Sequence, residues 1–562
     1  MRAQCGPGVG EVTMRARAEL FEQLADGTFD LLIIGGGING CGAARDAAQR
    51  GLRVALVEQR DWGSGTSSRS AKLVHGGLRY LATFQLGLVR ESTAERAVQT
   101  LVAPHLVKPI LFLMPVYKEH KHGLWFMNLG LWLYDTLALF RIPQRHRMYR
   151  GRKALALEPN LRAEGLRGAL TFYDTAANDA RLTLENALDA EGLGAVTVSY
   201  ARVTGLVRDE SGRVTGARVT DALGGQTVEV RARVTLNTTG PWTDRLLALT
   251  GEHSRPMLRS TKGAHLVLDA SRLPIHHAVA MIHPEDERPL FIIPWGPHVY
   301  VGTTDFDTET DPDQVHAETR DVDNLLAAVN HYFPEARIAP EDIVSSWCGI
   351  RPLVAPAEEM AASKVSREHV IREEPRGLLT MVGGKLTTYR LMARELVDHA
   401  VRLLKRGGWP GPKIPGCQTR DRPLPGAASV GDQADLDRLA ARLADHEGLP
   451  QAVAAHLANT YGSLAQEVIR SAAPGDLELI CPPLPYVWTE VDYTVRVEHA
   501  LTLEDFYARR TQLLLRDPEG CLKTVAAVAA RMGELLGWDD ETRQAQESAL
   551  AEEVRATLRC RD

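Results

Sequence analysis

The sequence predicts an α/β protein in which a parallel-sheet, dinucleotide-binding unit is interleaved with antiparallel strands and followed by an all-α C-terminal region. Three observations predict it. A short apolar run, Phe29–Ile34, leads straight into Gly35-x-Gly37-x-x-Gly40 and a helical pattern over Cys41–Arg50. Past residue 195 the chain alternates apolar and polar residues at the period of strands. Beyond the Pro/Gly-rich stretch GGWPGPKIPG at 407–416, helical patterns dominate to the end.

The glycine loop carries a specific chemistry. Gly35 permits a tight turn, Gly37 removes the side chain that would block a phosphate, and Gly40 lets helix pack closely on strand. The helix N-terminus then faces the negative charge of a pyrophosphate. A second strand, LRVALVEQ, brings an acid, Glu58, 18 positions after Gly40, where it can accept hydrogen bonds from an adenosine ribose. Strand, glycines, helix, strand and acid in that order point to a bound dinucleotide.

Length and charge set the outer limits. At 562 residues the chain exceeds the roughly 250–300 at which one core stops growing, so two or three domains are expected. Its 65 Lys+Arg against 71 Asp+Glu give a net charge of −6, which argues against general nucleic-acid binding. Seven scattered cysteines with no C-x-x-C pair fit a reducing compartment, and neither a disulfide framework nor a metal site is expected. Residues 1–28 read as a leader, disordered at its start; the stretch before Met14 lacks the apolar core of a signal peptide.

Gly123–Phe140, GLWFMNLGLWLYDTLALF, is nearly long enough to cross a bilayer, but Asn128 and Asp135 inside it make a span costly. Trp125 and Trp132 fall seven apart on one helical face, and Arg141, Arg145, Arg147, Arg150, Arg152 and Lys153 follow. That pattern suits a helix lying in a membrane interface, and equally an amphipathic helix of a domain core. Further on, Val196–Val207 and Val214–Val230 are expected as antiparallel strands, and Arg233–Thr238 as another leading into Gly240-Pro241-Trp242. His265–Leu268, Leu290–Ile293 and Val299–Gly302 also read as strands. Leu378–Val382 leads into Gly383-Gly384-Lys385 and a long helix over Leu386–Lys405.

Candidate chemistry is densest in Thr66–Leu81, TSSRSAKLVHGGLRYL. Ser67 and Ser68 can bond pyrophosphate or flavin oxygens. His75 precedes Gly76-Gly77, where backbone can approach a flat ring, and Arg79 offers a planar fork for phosphate or carboxylate.

Those blocks carry a resemblance. Residues 30–405 resemble the FAD-dependent, aerobic-type glycerol-3-phosphate dehydrogenases in IIGGGINGCGAARDAAQRG, TSSRSAKLVHGGLRYL, NTTGPW, VGTTD, CGIRPL and GGKLTTYR. TVRVEHALTLEDFYARRTQL is similar to that group's C-terminal domain. The resemblance implies an FAD-binding, Rossmann-like domain of the glutathione-reductase/amino-acid-oxidase type, with an antiparallel-sheet substrate domain and an all-α C-terminal domain. It places FAD-binding segments at about 29–80, 165–250 and 345–405, substrate-domain segments at about 81–164 and 251–344, a linker at 406–420 and helices over 421–562. For FAD it implies Gly35, Gly36, Gly37, Asn39, Gly40, Glu58, Thr66, Ser67, Ser68, Lys72, Gly76, Gly77, Gly240, Gly384, Lys385 and Thr387.

The implied reaction is oxidation of sn-glycerol 3-phosphate to dihydroxyacetone phosphate, with hydride passing from C2 to flavin N5 and electrons leaving to a membrane quinone. Substrate contact falls on Arg79, Tyr80, His265, Arg351, Arg367 and Lys385, with Arg367 the weaker transfer. The hydroxyl proton needs a base, and a neutral imidazole can take it near pH 7. His75 is favoured, His265 is its rival, and Arg351 can polarise the developing ketone oxygen. The implied setting is cytoplasmic, peripheral on the inner face of the cell membrane, with no nucleic acid and with a homodimer left open. A soluble oxidase that uses oxygen is the alternative, and a chain binding FAD as a structural ligand is a third, disfavoured by the cluster of cations.

Overall fold

The computed structural model describes residues 17–81, 85–139, 143–251, 256–355 and 369–561. Two sheets, one of eight strands and one of ten, organise the chain up to residue 383. In the first, Thr28–Ile34 lies at the centre and is buried along six of its seven residues, which is why it reads as a continuous apolar run. It pairs in parallel with Val54–Val57 on one side and with the second half of Thr227–Asn237 on the other. Val196–Val198 and Leu378–Gly383 extend the parallel core outwards.

The helices Ile38–Gln49, Asp179–Gly192 and Tyr389–Arg406 close one face of this sheet through Ala43, Ala47, Leu184, Ala187, Met392 and Leu396. Small alanines let the first two helices lie close. The other face is covered by the helix Arg17–Asp26 and by the hairpin Ala201–Arg208 with Val214–Asp221.

Two strand expectations are corrected here. Val196–Val207 is not one strand: Val196–Val198 pairs in parallel with Val54–Val57, and the chain turns at Tyr200, whose φ is +54°, before the hairpin begins. Conversely, the end of Val214–Val230 and Arg233–Thr238 belong to a single strand, Thr227–Asn237. Its first half is antiparallel to Val214–Asp221 and its second half parallel to Thr28–Ile34, so its side-chain pattern switches from half-exposed to buried along its length.

The second sheet is antiparallel apart from the pairing of Ala278–Ile282 with Val107–Tyr117. Its long ladders, Val107–Tyr117 with Leu166–Ala177 and Leu258–Asp269 with Ile343–Val354, reach from the periphery to the first sheet. The helix Thr319–Tyr332 packs over it through Val322, Leu325 and Val329. After the Pro/Gly stretch come the helices Gln433–Glu447, Gln451–Tyr461, Thr489–Arg496, Pro518–Leu536 and Asp540–Leu558. Leu439, Leu443 and Leu457 form the core of the first two, and Leu503, Phe506, Tyr507, Leu513, Val528 and Met532 that of the others, beside a π-helical turn at Asp505–Arg510.

Candidate active site

One large cavity, about 1860 Å³, runs from the carboxyl ends of the parallel strands into the second sheet. The glycine loop forms its first wall. Gly35 takes φ = +106°, a conformation that glycine adopts freely. A Cβ on Gly40 would run into the carbonyl oxygen of Gly35, so only glycine allows this approach of helix to turn. Glu58 accepts from the Gly36 N–H at 2.6 Å and the Arg60 N–H at 2.9 Å, while burial raises its carboxyl above the usual range. Ser67 accepts from the Ile38 N–H at 2.9 Å at the entrance of the helix.

The residues fit a dinucleotide on structural grounds. Gly37, at the N-cap of the helix Ile38–Gln49, brings no side chain to its start, and among the described residues the buried Asn39 Oδ1 beside it has no hydrogen-bond partner. Gly35, Gly37, Asn39, Glu58, Thr66, Ser67 and Gly240 all line the same cavity, as do Gly384, Lys385 and Thr387 from the other end. Thr387 Oγ1 accepts from the His75 N–H at 3.2 Å, tying the GGKLTT block to the HGG turn. The long helix starts at Tyr389, one 3-10 turn later than its pattern predicts, because Gly383 and Gly384 take φ near +83° and +93° and the chain must first recover.

Deeper in the cavity stand His75, His265 and Arg351. His265 is fully buried on the ladder Leu258–Asp269 and stacks on Trp347 with ring centroids 4.6 Å apart. Burial first, then the nearby Arg351 and Lys72 charges, push its pKa well below the ordinary histidine value, so its ring is neutral. Among the described residues neither ring nitrogen has a hydrogen-bond partner. Arg351 donates to Asp305 at 3.0 Å, to Thr303 Oγ1 at 2.9 Å and to the Thr304 carbonyl at 3.0 Å. The guanidinium is therefore held in one orientation beside the imidazole.

The arrangement therefore offers a buried neutral base, an oriented cation and an elongated cleft for a dinucleotide. The chain matches the family model described as FAD dependent oxidoreductase over residues 30–398, and the one described as C-terminal domain of alpha-glycerophosphate oxidase over 417–543. It is 36% identical over 532 residues to the aerobic glycerol-3-phosphate dehydrogenase of Staphylococcus saprophyticus, covering 94% of this chain and 95% of that one. It is 39% identical to glycerol-3-phosphate dehydrogenase 2 of Mycobacterium bovis, covering 93% and 87%. The crystal structure of glycerol-3-phosphate dehydrogenase from Bacillus halodurans complexed with FAD superposes with a TM-score of 0.81 at 31% identity, covering 97% of this chain and 98% of that one.

The chain belongs to the aerobic glycerol-3-phosphate dehydrogenase family of FAD-dependent oxidoreductases.

FAD is accordingly its cofactor, and the sequence's expected fold class holds: a Rossmann-like FAD-binding domain, an antiparallel second sheet and a helical C-terminal domain. Within this glycerol-3-phosphate dehydrogenase fold the expected site residues divide. His75, His265, Arg351 and Lys385 converge on the cavity. Gly36, Gly40, Ser68, Lys72, Gly76 and Gly77 lie behind its wall. Lys72, expected at the cofactor, is paired with Asp179 at 2.8 Å and with the Ser68 carbonyl at 3.0 Å, because a buried ammonium needs a counter-charge. The Gly76 N–H donates to Asp174 at 3.1 Å, and Asp174 also accepts from the Tyr134 hydroxyl at 3.2 Å and from Arg96 at 3.0 Å. The side chains of Arg79 and Tyr80, and Arg367 altogether, lie outside the described residues.

Three contributors were not among the expected site residues. Trp347 stacks on His265, Asp305 orients Arg351, and Gly302 leaves room for the His265 ring, where a Cβ would collide with it. Asp305 lines the cavity as the arginine's anchor. Only the pairing of strands brings these residues together, and nothing in their local sequence announces it.

Proposed function

We propose that the chain oxidises sn-glycerol 3-phosphate at C2 to dihydroxyacetone phosphate and passes the electrons to a membrane quinone. The observation that carries this reading is His265: a buried, neutral imidazole with both nitrogens unengaged, beside an arginine held in place, in a cavity continuous with the FAD cleft. FAD, when bound, supplies the two-electron acceptor at N5. The residues of this chain do the rest. His265 takes the C2 hydroxyl proton, Arg351 orients the oxygen that becomes the ketone, and Lys385 adds positive charge for the phosphate. His75, in the same cavity, is the competing base.

The quinone and the membrane rest on the helix Leu124–Leu137. Trp125, Phe126 and Leu129 are 64%, 59% and 66% exposed, with Trp132 and Leu133 beside them. The Arg150 guanidinium stacks over the Trp125 ring at 4.9 Å, and Arg145, Arg147, Arg152 and Lys153, its neighbours in sequence, are exposed. An exposed apolar face rimmed by cations suits anionic lipid headgroups. Phe126, Leu129, Trp132 and Leu133 also line the far end of the cavity, giving an apolar acceptor a route to the flavin. Among the described residues no helix is long and apolar enough to cross a membrane, so contact on this reading is interfacial.

An anaerobic mixing experiment tests it. Adding sn-glycerol 3-phosphate should bleach the flavin absorbance, and a quinone analogue should restore it faster than oxygen does. Fast recovery with oxygen alone would make the chain an oxidase; absence of bleaching would remove the substrate.

A further inference from the structure

The turn that follows the ribose-binding acid is gripped from two directions. On its inner side it clasps the glycine loop. Glu58 accepts from the Gly36 N–H at 2.6 Å, the Gly63 N–H donates to the Gly36 carbonyl at 2.9 Å, and the buried Trp62 ring packs where a side chain on residue 36 would stand. Residues 58–63 therefore set the position of both the acid and the second glycine.

On its outer side the same turn is held by the C-terminal region, from residues 448 and 449 positions further along the chain. Asp61 is fully buried and accepts from Arg509 Nε at 2.5 Å and from Arg510 Nη1 and Nη2 at 2.7 and 2.9 Å. Both arginines sit on the π-helical turn Asp505–Arg510, whose extra residue per turn presents consecutive side chains to one carboxylate. Arg510 Nη2 also donates to the Glu498 carbonyl at 2.7 Å, and Arg509 pairs with Asp505 at 2.6 Å and Glu504 at 2.7 Å. Asp505 in turn accepts from the Tyr200 hydroxyl at 2.7 Å, and the Tyr200 N–H donates to the Arg60 carbonyl at 2.9 Å. Two chains of contacts thus run from the C-terminal region into the turn, and none of Asp61, Arg509 or Arg510 lines the cavity.

We propose that Arg510, assisted by Arg509, is a positioning residue for FAD: through Asp61 it fixes the turn that presents Glu58 to the adenosine ribose and holds Gly36 in the pyrophosphate loop. The C-terminal domain is on this account part of the FAD-holding apparatus, although none of its described residues lines the cleft. A buried carboxylate left without its partners costs several kcal/mol, so the turn keeps its geometry only while the arginines are seated. Coupling of this kind is reciprocal: if the π-turn favours FAD, bound FAD must favour the seated π-turn.

Two measurements test the proposal. The first titrates purified apoprotein with FAD by flavin fluorescence. Arg510→Lys keeps the charge but loses the planar fork. FAD should bind about tenfold more weakly, while the KM for substrate of the FAD-saturated variant stays at the wild-type value. The second follows amide hydrogen exchange in wild-type apoprotein, which needs no variant. FAD should slow exchange across 498–512, a region that lines no part of the cleft. Binding of FAD by the wild type is read first, so a failure of the cofactor assignment shows separately. Wild-type FAD affinity in a folded Arg510→Lys variant, or exchange across 498–512 indifferent to FAD, overturns the proposal.

Discussion

His265 combines properties that rarely coincide in one side chain: complete burial, an aromatic neighbour stacked on its face, a cation nearby and, among the described residues, no hydrogen-bond partner. Burial and the neighbouring Arg351 and Lys72 charges disfavour the imidazolium, so the ring stays neutral until well below pH 6.5. As a base it is ready across the physiological range, and flavin reduction should show no loss from this group between pH 8 and 6.5. His265→Gln should slow reduction by about 10²- to 10⁴-fold in single-turnover mixing. If His75→Ala carries that loss and His265→Gln does not, the base is His75. The same depressed pKa predicts a stability trend. Above pH 6.5 the ring is neutral folded and unfolded and contributes nothing to the pH dependence. Below it the unfolded chain takes up a proton that the folded chain refuses, so stability falls by up to about 1.4 kcal/mol per pH unit for one proton. Melting curves between pH 6.5 and 5 should be flatter for His265→Gln than for the parent. The site's two ends were differently visible. Glycines and the acid at 58 are spaced along one short segment, so their chemistry shows in order. His265, Trp347 and Arg351 meet because Leu258–Asp269 pairs with Ile343–Val354, and Asp305 joins them because the same strand pairs with His298–Gly302, which periodicity cannot foretell.

Two elements show how local pattern and tertiary setting divide the work. The first is the glycine-loop helix. Its alanines and Gly40 let Ile38–Gln49 approach the turn so closely that Gly40→Ala must displace either helix or strand. Overpacking of this kind costs about 1–3 kcal/mol or more, and the expected result is a lower melting temperature with weaker FAD retention on gel filtration. Retention equal to the parent's would mean that the helix has room to slide. The second is Leu124–Leu137. Its sequence was ambiguous between core and interface because an amphipathic pattern states only that two faces differ. The structure separates them. Leu131, Tyr134 and Asp135 face inward, with Asp135 accepting from His146 Nδ1 at 2.7 Å, and the tryptophans face out. Replacing Trp125 and Trp132 together by Ser should release the protein from anionic liposomes without lowering its melting temperature, since neither ring is buried; a loss of stability instead would return the helix to a packing role. The strand Thr227–Asn237 was misread for a related reason. It changes partners midway, so a single element carries two hydrophobic patterns.

At the scale of the whole molecule, the parts are joined by buried charge as well as by apolar packing. Arg181 of the FAD-binding region pairs with Glu498 at 2.7 Å, Arg390 with Glu95 at 2.5 Å, and Asp61 with both C-terminal arginines. Such pairs are weak evidence for net stability, but each makes the position of one region depend on another. The C-terminal helices were legible as helices; their seating on the cofactor turn was not, because single arginines in an acidic, arginine-rich helix give no sign of their partner. On the proposed reading the electron acceptor belongs to this same scale, since it would reach the flavin where the exposed helix lines the cavity. Reoxidation by a quinone analogue should accordingly be slowed when the apolar far end is obstructed, for example by Gly130→Trp, while reduction by substrate keeps its rate. Equal slowing of both half-reactions would place the acceptor and the substrate on one route.

The distance along the chain between Asp61 and Arg509 has a temporal consequence. A ribosome adding about 5–20 residues per second makes the carboxylate roughly 20 to 90 s before the arginine that neutralises it, across a separation of 448 positions. Until then the turn beside the glycine loop cannot be buried with its charge matched. If the arginines position the turn as proposed, the nascent N-terminal half waits for the segment carrying Arg509 and Arg510 before its cofactor cradle can close.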